Sequence, residues 1–230
     1  MKVVVFSGAG ISAESGIKTF RDSGGLWENY SIEEVATPEA FATNPELVLE
    51  FYNMRVRDLQ KAKPNAAHLA IAKLEEKYAV DVITQNVDDL HERAGSANVL
   101  HLHGELTKCR SVSDEHTLYP MPETGLKLGD RCPQGAQLRP HIVWFGEMVP
   151  AMDEALRVVR GADILIIVGT SLQVYPAAGL AFEAPESAEI FLVDPGEIPE
   201  YMKQKVIHYK ANAATGIPRL AKERLGLDTD

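Results

Sequence analysis

Four short, almost unbroken apolar runs constrain the fold of this chain more than any other feature: Val3–Phe6, Val80–Ile83, Ile164–Val168 and Ile190–Val193. A strand with one wet face alternates apolar and polar residues. A run without alternation belongs to a strand covered on both faces. Three of the runs end in small or polar residues, at Ser7-Gly8-Ala9-Gly10, Thr84-Gln85-Asn86 and Gly169-Thr170-Ser171. Helical patterns, such as Ala66–Lys77 and Met152–Arg160, lie between runs. This alternation predicts an α/β fold with a Rossmann-like, doubly wound parallel sheet. Ligands of such sheets bind at the carboxyl ends of the strands, where the three polar turns fall.

Two stretches break the alternation. Residues 21–65 read as loop plus helices, and residues 104–139 hold many turn residues and no strong period. We expect these two insertions to form a smaller second domain. The Rossmann-like part then covers approximately 1–20, 66–103 and 140–230 of a single catalytic domain. A chain of 230 residues, 45% hydrophobic, buries enough core for that arrangement.

The net charge is −10, and no run of Lys and Arg supplies a basic patch, which argues against a nucleic-acid partner. Cys109 and Cys132 are the only thiols and make no disulfide scaffold, as expected in a reducing compartment. The start of the chain lacks the charged lead, long apolar stretch and cleavage site of a signal peptide. The longest apolar run, Ile164–Val168, is too short to span a bilayer. A monomer in the cytoplasm, or in an organelle matrix, without a membrane partner is the expectation.

Val3–Phe6 leads into Ser7-Gly8-Ala9-Gly10-Ile11-Ser12. Glycines let a backbone turn tightly and approach a diphosphate, whose charge is met by amides at a helix N-terminus. The same residues also serve an ordinary strand-to-helix turn. The full G-x-G-x-x-G spacing is absent, and no acidic residue follows a second strand about 20 residues on.

The longer string Gly8-Ala9-Gly10-Ile11-Ser12-Ala13-Glu14-Ser15-Gly16-Ile17, with Thr19-Phe20-Arg21, resembles the signature of sirtuins. Thr84-Gln85-Asn86-Val87-Asp88 is similar to their nicotinamide and ribose motif, and His101-Leu102-His103-Gly104 to their catalytic histidine motif. Val143-Trp144-Phe145-Gly146-Glu147 resembles their substrate-pairing segment. Gly169-Thr170-Ser171 and Val174-Tyr175-Pro176-Ala177 resemble their later cofactor turn. The motifs fall in the family's order, and the match is best with the bacterial CobB-type, desuccinylating branch.

The resemblance implies an NAD-dependent protein-lysine deacylase, with acyl-lysine-bearing proteins as substrates. The acyl oxygen attacks the ribose carbon that bears nicotinamide. A histidine then acts as general base on a ribose hydroxyl. The products are nicotinamide, O-acyl-ADP-ribose and free lysine. His103, which directly precedes the glycine, is the implied base, and an imidazole titrates in the right range. His101 is assigned to structure. Asn86 and Gln85 are implied at the ribose or its ordered water, and Asp88 at the nicotinamide carboxamide. Arg21 is implied near the diphosphate, and Phe20 over the reactive sugar carbon. Thr170 and Ser171 could bind a phosphate or sugar hydroxyl, or cap the turn. Asp194 follows the last predicted strand, near the expected adenosine ribose, although Leu192 stands where the family has Asn. Ala213 matches a small residue beside the adenine.

Tyr52-Asn53-Met54-Arg55 matches the Tyr-x-x-Arg of desuccinylating sirtuins. On a helix these two residues share a face, and a guanidinium fork suits a carboxylate. Succinyl- and malonyl-lysine carry such a carboxylate. Ala36 resembles a small pocket residue that leaves room for long acyl groups. Two features depart from the family. Its zinc ribbon has two Cys-x-x-Cys pairs, and this chain has neither. A site from Cys109, Cys132 and His116 lacks ligand spacing, so buried thiols and no structural zinc are expected. Lys18 replaces a proline of the cofactor loop. Two rival readings use the same pocket. One is a mono-ADP-ribosyltransferase or NAD glycohydrolase, which needs neither Tyr52 nor Arg55. The other is a non-catalytic binding module for acyl-lysine or ADP-ribose, which needs no His103.

Overall fold

The computed structural model describes residues 1–19, 29–170, 172, 175–197, 202–203 and 205–227. Its larger sheet has six parallel strands: β1 (Lys2–Ser7), β2 (Ala79–Thr84), β3 (Val99–His101), β7 (Ile164–Val168), β8 (Glu189–Val193) and β9 (Ile207–Tyr209). Their spatial order is β3-β2-β1-β7-β8-β9. Sequence order runs one way from β1 and the other way from β7, so the switch point lies between those two strands.

The apolar runs have a simple cause. Val3 and Val5 of β1 enter the core on one face, while Val4 and Phe6 enter the core on the other. Strand β7 divides likewise, with Ile164, Ile166 and Val168 against Leu165 and Ile167. The first face is covered by α5 (Ala66–Lys73) and α8 (Ala213–Leu225). The second is covered by α7 (Met152–Arg160) and a 3-10 segment at Ala177–Phe182.

Three expectations need correction. Asp194 does not follow the last strand, because β9 comes after it. The edge strands β3 and β9 escaped the sequence reading because each has only three residues, mostly half-exposed, without an apolar run. The turn-rich stretch 104–139 also holds strands. An antiparallel sheet of β4 (Gly104–Ser111), β5 (Leu118–Pro120) and β6 (Leu138–Ile142) has the order β5-β4-β6. A register shift between Glu105 and Cys109 breaks its period of two, which hides it from pattern reading.

Between β1 and β2 the chain forms α1 (Gly10–Ala13), α2 (Ile32–Val35), α3 (Pro38–Thr43) and α4 (Pro45–Lys61) before α5. Proline occupies the first turn of α3 and α4, and Thr37 and Asn44 cap the following amides. The α4 residues Val48, Phe51, Tyr52, Val56 and Leu59 pack on Leu106, Ile142 and Trp144, which joins the small sheet to the helices. The Asn53 side chain adds two bonds, to the amide and the carbonyl of Leu126. Helix α6 (Leu90–Ala94) follows β2. Among the described residues no helix is long and apolar enough to cross a membrane.

His68 on α5 and His91 on α6 stack edge to face, 5.0 Å apart, and both are buried. Burial pushes their pKa values down to about 4 and about 3. In the unfolded chain both bind protons near pH 6.5. Below that pH the unfolded state holds more protons, so stability falls as pH falls, by about 1.4 kcal/mol per unit for each histidine. Melting curves from pH 7 to pH 5 should show this slope. The variant carrying both His68→Gln and His91→Gln should lose most of it.

Candidate active site

The polar turns after β1, β2 and β7 converge on one cavity of about 860 Å³. Its walls include Ala9, Gly10, Ser12, Gln85, Asn86, Asp88, His103, Gly169, Thr170, Asp194 and Ala213. On the other side stand Ala36, Tyr52, Arg55, Val143, Trp144, Phe145 and Gly146. Phe20, Arg21 and Ser171, to which the resemblance assigns cofactor roles, lie outside the described residues, as does Val174. Lys18, Glu197 and Asn212 also line the cavity. Lys18 stands at the departure from the cofactor-loop motif noted above, whereas Glu197 and Asn212 come by loop position and no motif pointed to them.

Gly8 and Ile11 do not line it. The Ile11 side chain is fully buried in the core. A Cβ on Gly8 would lie 2.7 Å from the Gly169 carbonyl oxygen, and one on Gly10 would lie 2.8 Å from the Gly169 Cα. These glycines therefore admit the neighbouring turn. The amide of Gly8 donates to Val168, Gly10 to Gly169, Ile11 to Gly8 and Ser12 to Ala9. Four loop amides are thus already bonded inside the protein.

Side chains knit the turns together. Ser12 Oγ donates to Asp88 Oδ2 at 3.0 Å and accepts from Asn86 Nδ2 at 3.1 Å. Burial raises the Asp88 pKa, against the bonds from the Leu90 amide and Ser12 that hold it down. Thr170 Oγ1 donates to Gln85 Oε1 at 2.9 Å. The Gln85 amide nitrogen is left buried with no partner among the described residues. Leu192, at the family's Asn position, is core.

Two histidines two residues apart have opposite surroundings. His103 Nδ1 lies 3.1 Å from the Gln85 carbonyl, which can only accept. Its proton therefore sits on Nδ1, and Nε2 carries the lone pair of the neutral ring. Burial lowers its pKa, outweighing that bond. His101 Nδ1 meets the Asn86 carbonyl at 3.0 Å, and its Nε2 meets Glu92 Oε1 at 2.7 Å. Burial lowers the His101 pKa, but the Glu92 bond and charge outweigh it and raise the pKa overall. Glu92, His101 and Glu105 form the one cluster of metal-capable donors among the described residues. Lys108 already occupies Glu105 at 2.6 Å. Cys109, Cys132 and His116 do not form such a cluster there. Both thiols are free and buried.

On the far wall Tyr52 is buried, and its hydroxyl accepts from Trp144 Nε1 at 3.0 Å. Half-buried Arg55 lies on the same helix, its Cζ 5.7 Å from the Tyr52 ring centre. The amide of Val143 donates to the His103 carbonyl, and that of Phe145 to the Ala36 carbonyl. The segment is thereby tied to both walls.

The profile of the Sir2 family matches residues 8–176. An NAD-dependent protein deacylase of Bacteroides thetaiotaomicron is 49% identical over 223 residues, covering 95% of each chain. Another from Helicobacter pylori is 55% identical over 211 residues, covering 92% of this chain and 90% of that one. The fold is similar to a crystal structure of a Sir2 homologue–NAD complex, with TM-score 0.88, 42% identity, and coverage of 99% of this chain and 91% of that one.

The two histidines should titrate apart. In an NMR pH titration of the imidazole resonances, His101 should have its midpoint above 6.5 and His103 below it. Coincident midpoints would show that Glu92 does not set them apart.

Proposed function

The chain belongs to the Sir2 family and is an NAD-dependent protein deacylase, and we propose that it removes succinyl, malonyl and also acetyl groups from lysine side chains. One observation carries the acyl preference: Tyr52 and Arg55 line the same cavity as His103. A phenol and a guanidinium are the groups that a distal acyl carboxylate needs. Ala36, with its small side chain, lines the same wall.

The residues fit NAD. The cavity has the size of a cofactor-and-substrate site, and the unpartnered Gln85 nitrogen offers a donor to a sugar or phosphate oxygen. When bound, NAD supplies the ribose carbon that receives the acyl oxygen, and nicotinamide as the leaving group. His103 Nε2 takes a proton from a hydroxyl presented in the cavity, since its lone pair is free and the ring is neutral at pH 7. The Gln85 carbonyl holds that ring's tautomer and direction. Asn86 and Asp88 are braced through Ser12, so they meet a carboxamide or sugar hydroxyl with little reorganisation. Gly8, Ala9, Gly10, Ile11 and Ser12 shape the phosphate side, with Thr170, Asp194 and Ala213 toward the adenosine end. We read the small sheet as held by packing without zinc. Leu49, Cys109 and Leu126 form an apolar cluster, and Cys109 Sγ faces the Pro120 carbonyl.

His103→Ala should abolish turnover of every acyl type while NAD binding persists, followed by peptide mass and by calorimetry. In the unaltered enzyme a neutral base is required, so activity should hold above the His103 pKa and fade below pH 6.5. Substantial turnover by the variant would remove His103 from that role.

Arg55→Met should lower the ratio of kcat/KM for succinyl over acetyl peptides of one sequence by roughly ten- to 150-fold, the worth of a charge-assisted hydrogen bond. Arg55→Lys keeps the charge but loses the fork, and should retain part of that ratio. An equal loss on both peptides would mean that Arg55 supports the fold or the cofactor instead.

A further inference from the structure

The geometry points to Trp144 as a positioning residue for acyl selectivity. Its indole N–H fixes the Tyr52 oxygen as an acceptor, which turns the phenol proton toward the distal carboxylate of an acidic acyl-lysine. This inference rests on the acyl reading proposed above.

The donor and acceptor roles follow from chemistry. An indole N–H only donates, and a phenol has one proton to give. At 3.0 Å from Trp144 Nε1 the Tyr52 oxygen must accept. Its own proton is then left for another acceptor, and none is found among the described residues. Burial pushes the Tyr52 pKa up to about 12, so the proton stays in place through the neutral range. Tyr52 lines the cavity that Arg55 also lines. A carboxylate entering there would meet a guanidinium and a directed O–H. The methyl end of an acetyl group would gain from neither.

The indole is itself held. Arg139 lies over its face, with Cζ 3.3 Å from the ring centre, and Phe41 packs at 5.3 Å between ring centres. Arg139 grips Glu147 with two bonds, at 2.7 and 3.1 Å. Glu147 in turn accepts the Trp144 amide at 2.7 Å. The side chain and backbone of Trp144 are thus fixed by one ion pair, and the indole N–H keeps its aim. Without that bond the phenol could turn and offer its lone pair to the incoming carboxylate, which repels it.

The test removes the N–H and keeps the bicycle, by placing 3-benzothienylalanine at position 144, with Trp144→Phe in parallel. Succinyl- and acetyl-lysine peptides of one sequence are turned over with NAD, and the ratio of their kcat/KM values is read. Disturbance of the peptide-pairing segment lowers both reactions and cancels in the ratio. The ratio should fall about three- to tenfold, the worth of one neutral hydrogen bond. In a Tyr52→Phe background the same replacement should change it no further. An unchanged ratio while Arg55→Met still collapses it would overturn the role of Trp144 and leave the acyl reading standing. A further fall in the Tyr52→Phe background would also overturn it, because the effect would not pass through the phenol. If Arg55→Met leaves the ratio intact, the acyl reading itself fails, and this inference with it. Should Trp144→Phe not fold, the benzothienyl isostere decides.

Discussion

The site depends on the contact between two turns at the switch point of the sheet. Gly169 adopts φ +61°, and a Cβ there would lie 2.3 Å from the Ile11 nitrogen. Gly8 and Gly10 face it with the same lack of room. Only glycine meets both demands, a left-handed backbone and a close approach. The bonds from Gly8 to Val168 and from Gly10 to Gly169 then lock β1 to β7 beyond the end of their ladder. Ser12 and Thr170 hang from these turns. Each reaches a residue of the turn after β2, Asp88 in one case and Gln85 in the other. A side chain at any of the three glycines would force the turns apart and move both.

The turn after β2 also decides the states of the two histidines. Its carbonyls at Gln85 and Asn86 each take one imidazole N–H, from His103 and His101. What differs is the second nitrogen. Glu92 stands at that of His101 and favours its charged form. His103 has burial as its larger influence, which favours the neutral form. A base must be neutral to accept a proton, and a tether gains by being charged. The spacing of two residues puts both rings beside one loop, and Glu92 on α6, with a smaller contribution from Glu105, separates their protonation states.

The sequence displayed some of this plainly and concealed the rest. The strands buried on both faces were legible because little polar interrupts them, Asp81 of β2 being the exception. Strands β3 and β9 were not, since an edge strand of three residues needs no apolar run. The small sheet was hidden by its bulge, which moves residues off the alternation that marks a strand. The site turns could be placed from their polar ends alone. The purpose of the glycines could not, because it concerns a partner turn about 160 residues away in the chain, near Gly169. Tyr52 and Arg55 were legible as neighbours on α4. The bond from Trp144 to Tyr52, which spans 92 positions, was not.

The division of the site agrees with the proposal that one chemistry serves several acyl groups. The groups proposed to face the reaction, His103, Asn86 and Asp88, come from the loops after β2 and β3. Those proposed to face the acyl end, Tyr52 and Arg55, come from α4, which packs on the small sheet. The segment from Val143 to Phe145 spans the gap, bonded at one end to the His103 carbonyl and at the other to the Ala36 carbonyl. On that proposal, substitutions on α4 alter which acyl group is preferred without moving His103. Changes in the segment bear on both at once. Its anchor is the pairing of Arg139 with Glu147, a partly buried, two-bonded ion pair. Glu147 is also reached by Arg110 at 3.5 Å, so its removal takes the carboxylate from both guanidinium groups and leaves the buried charge of Arg139 without its ion pair. The register of the segment, and with it the alignment of the acyl end with the base, would be lost together.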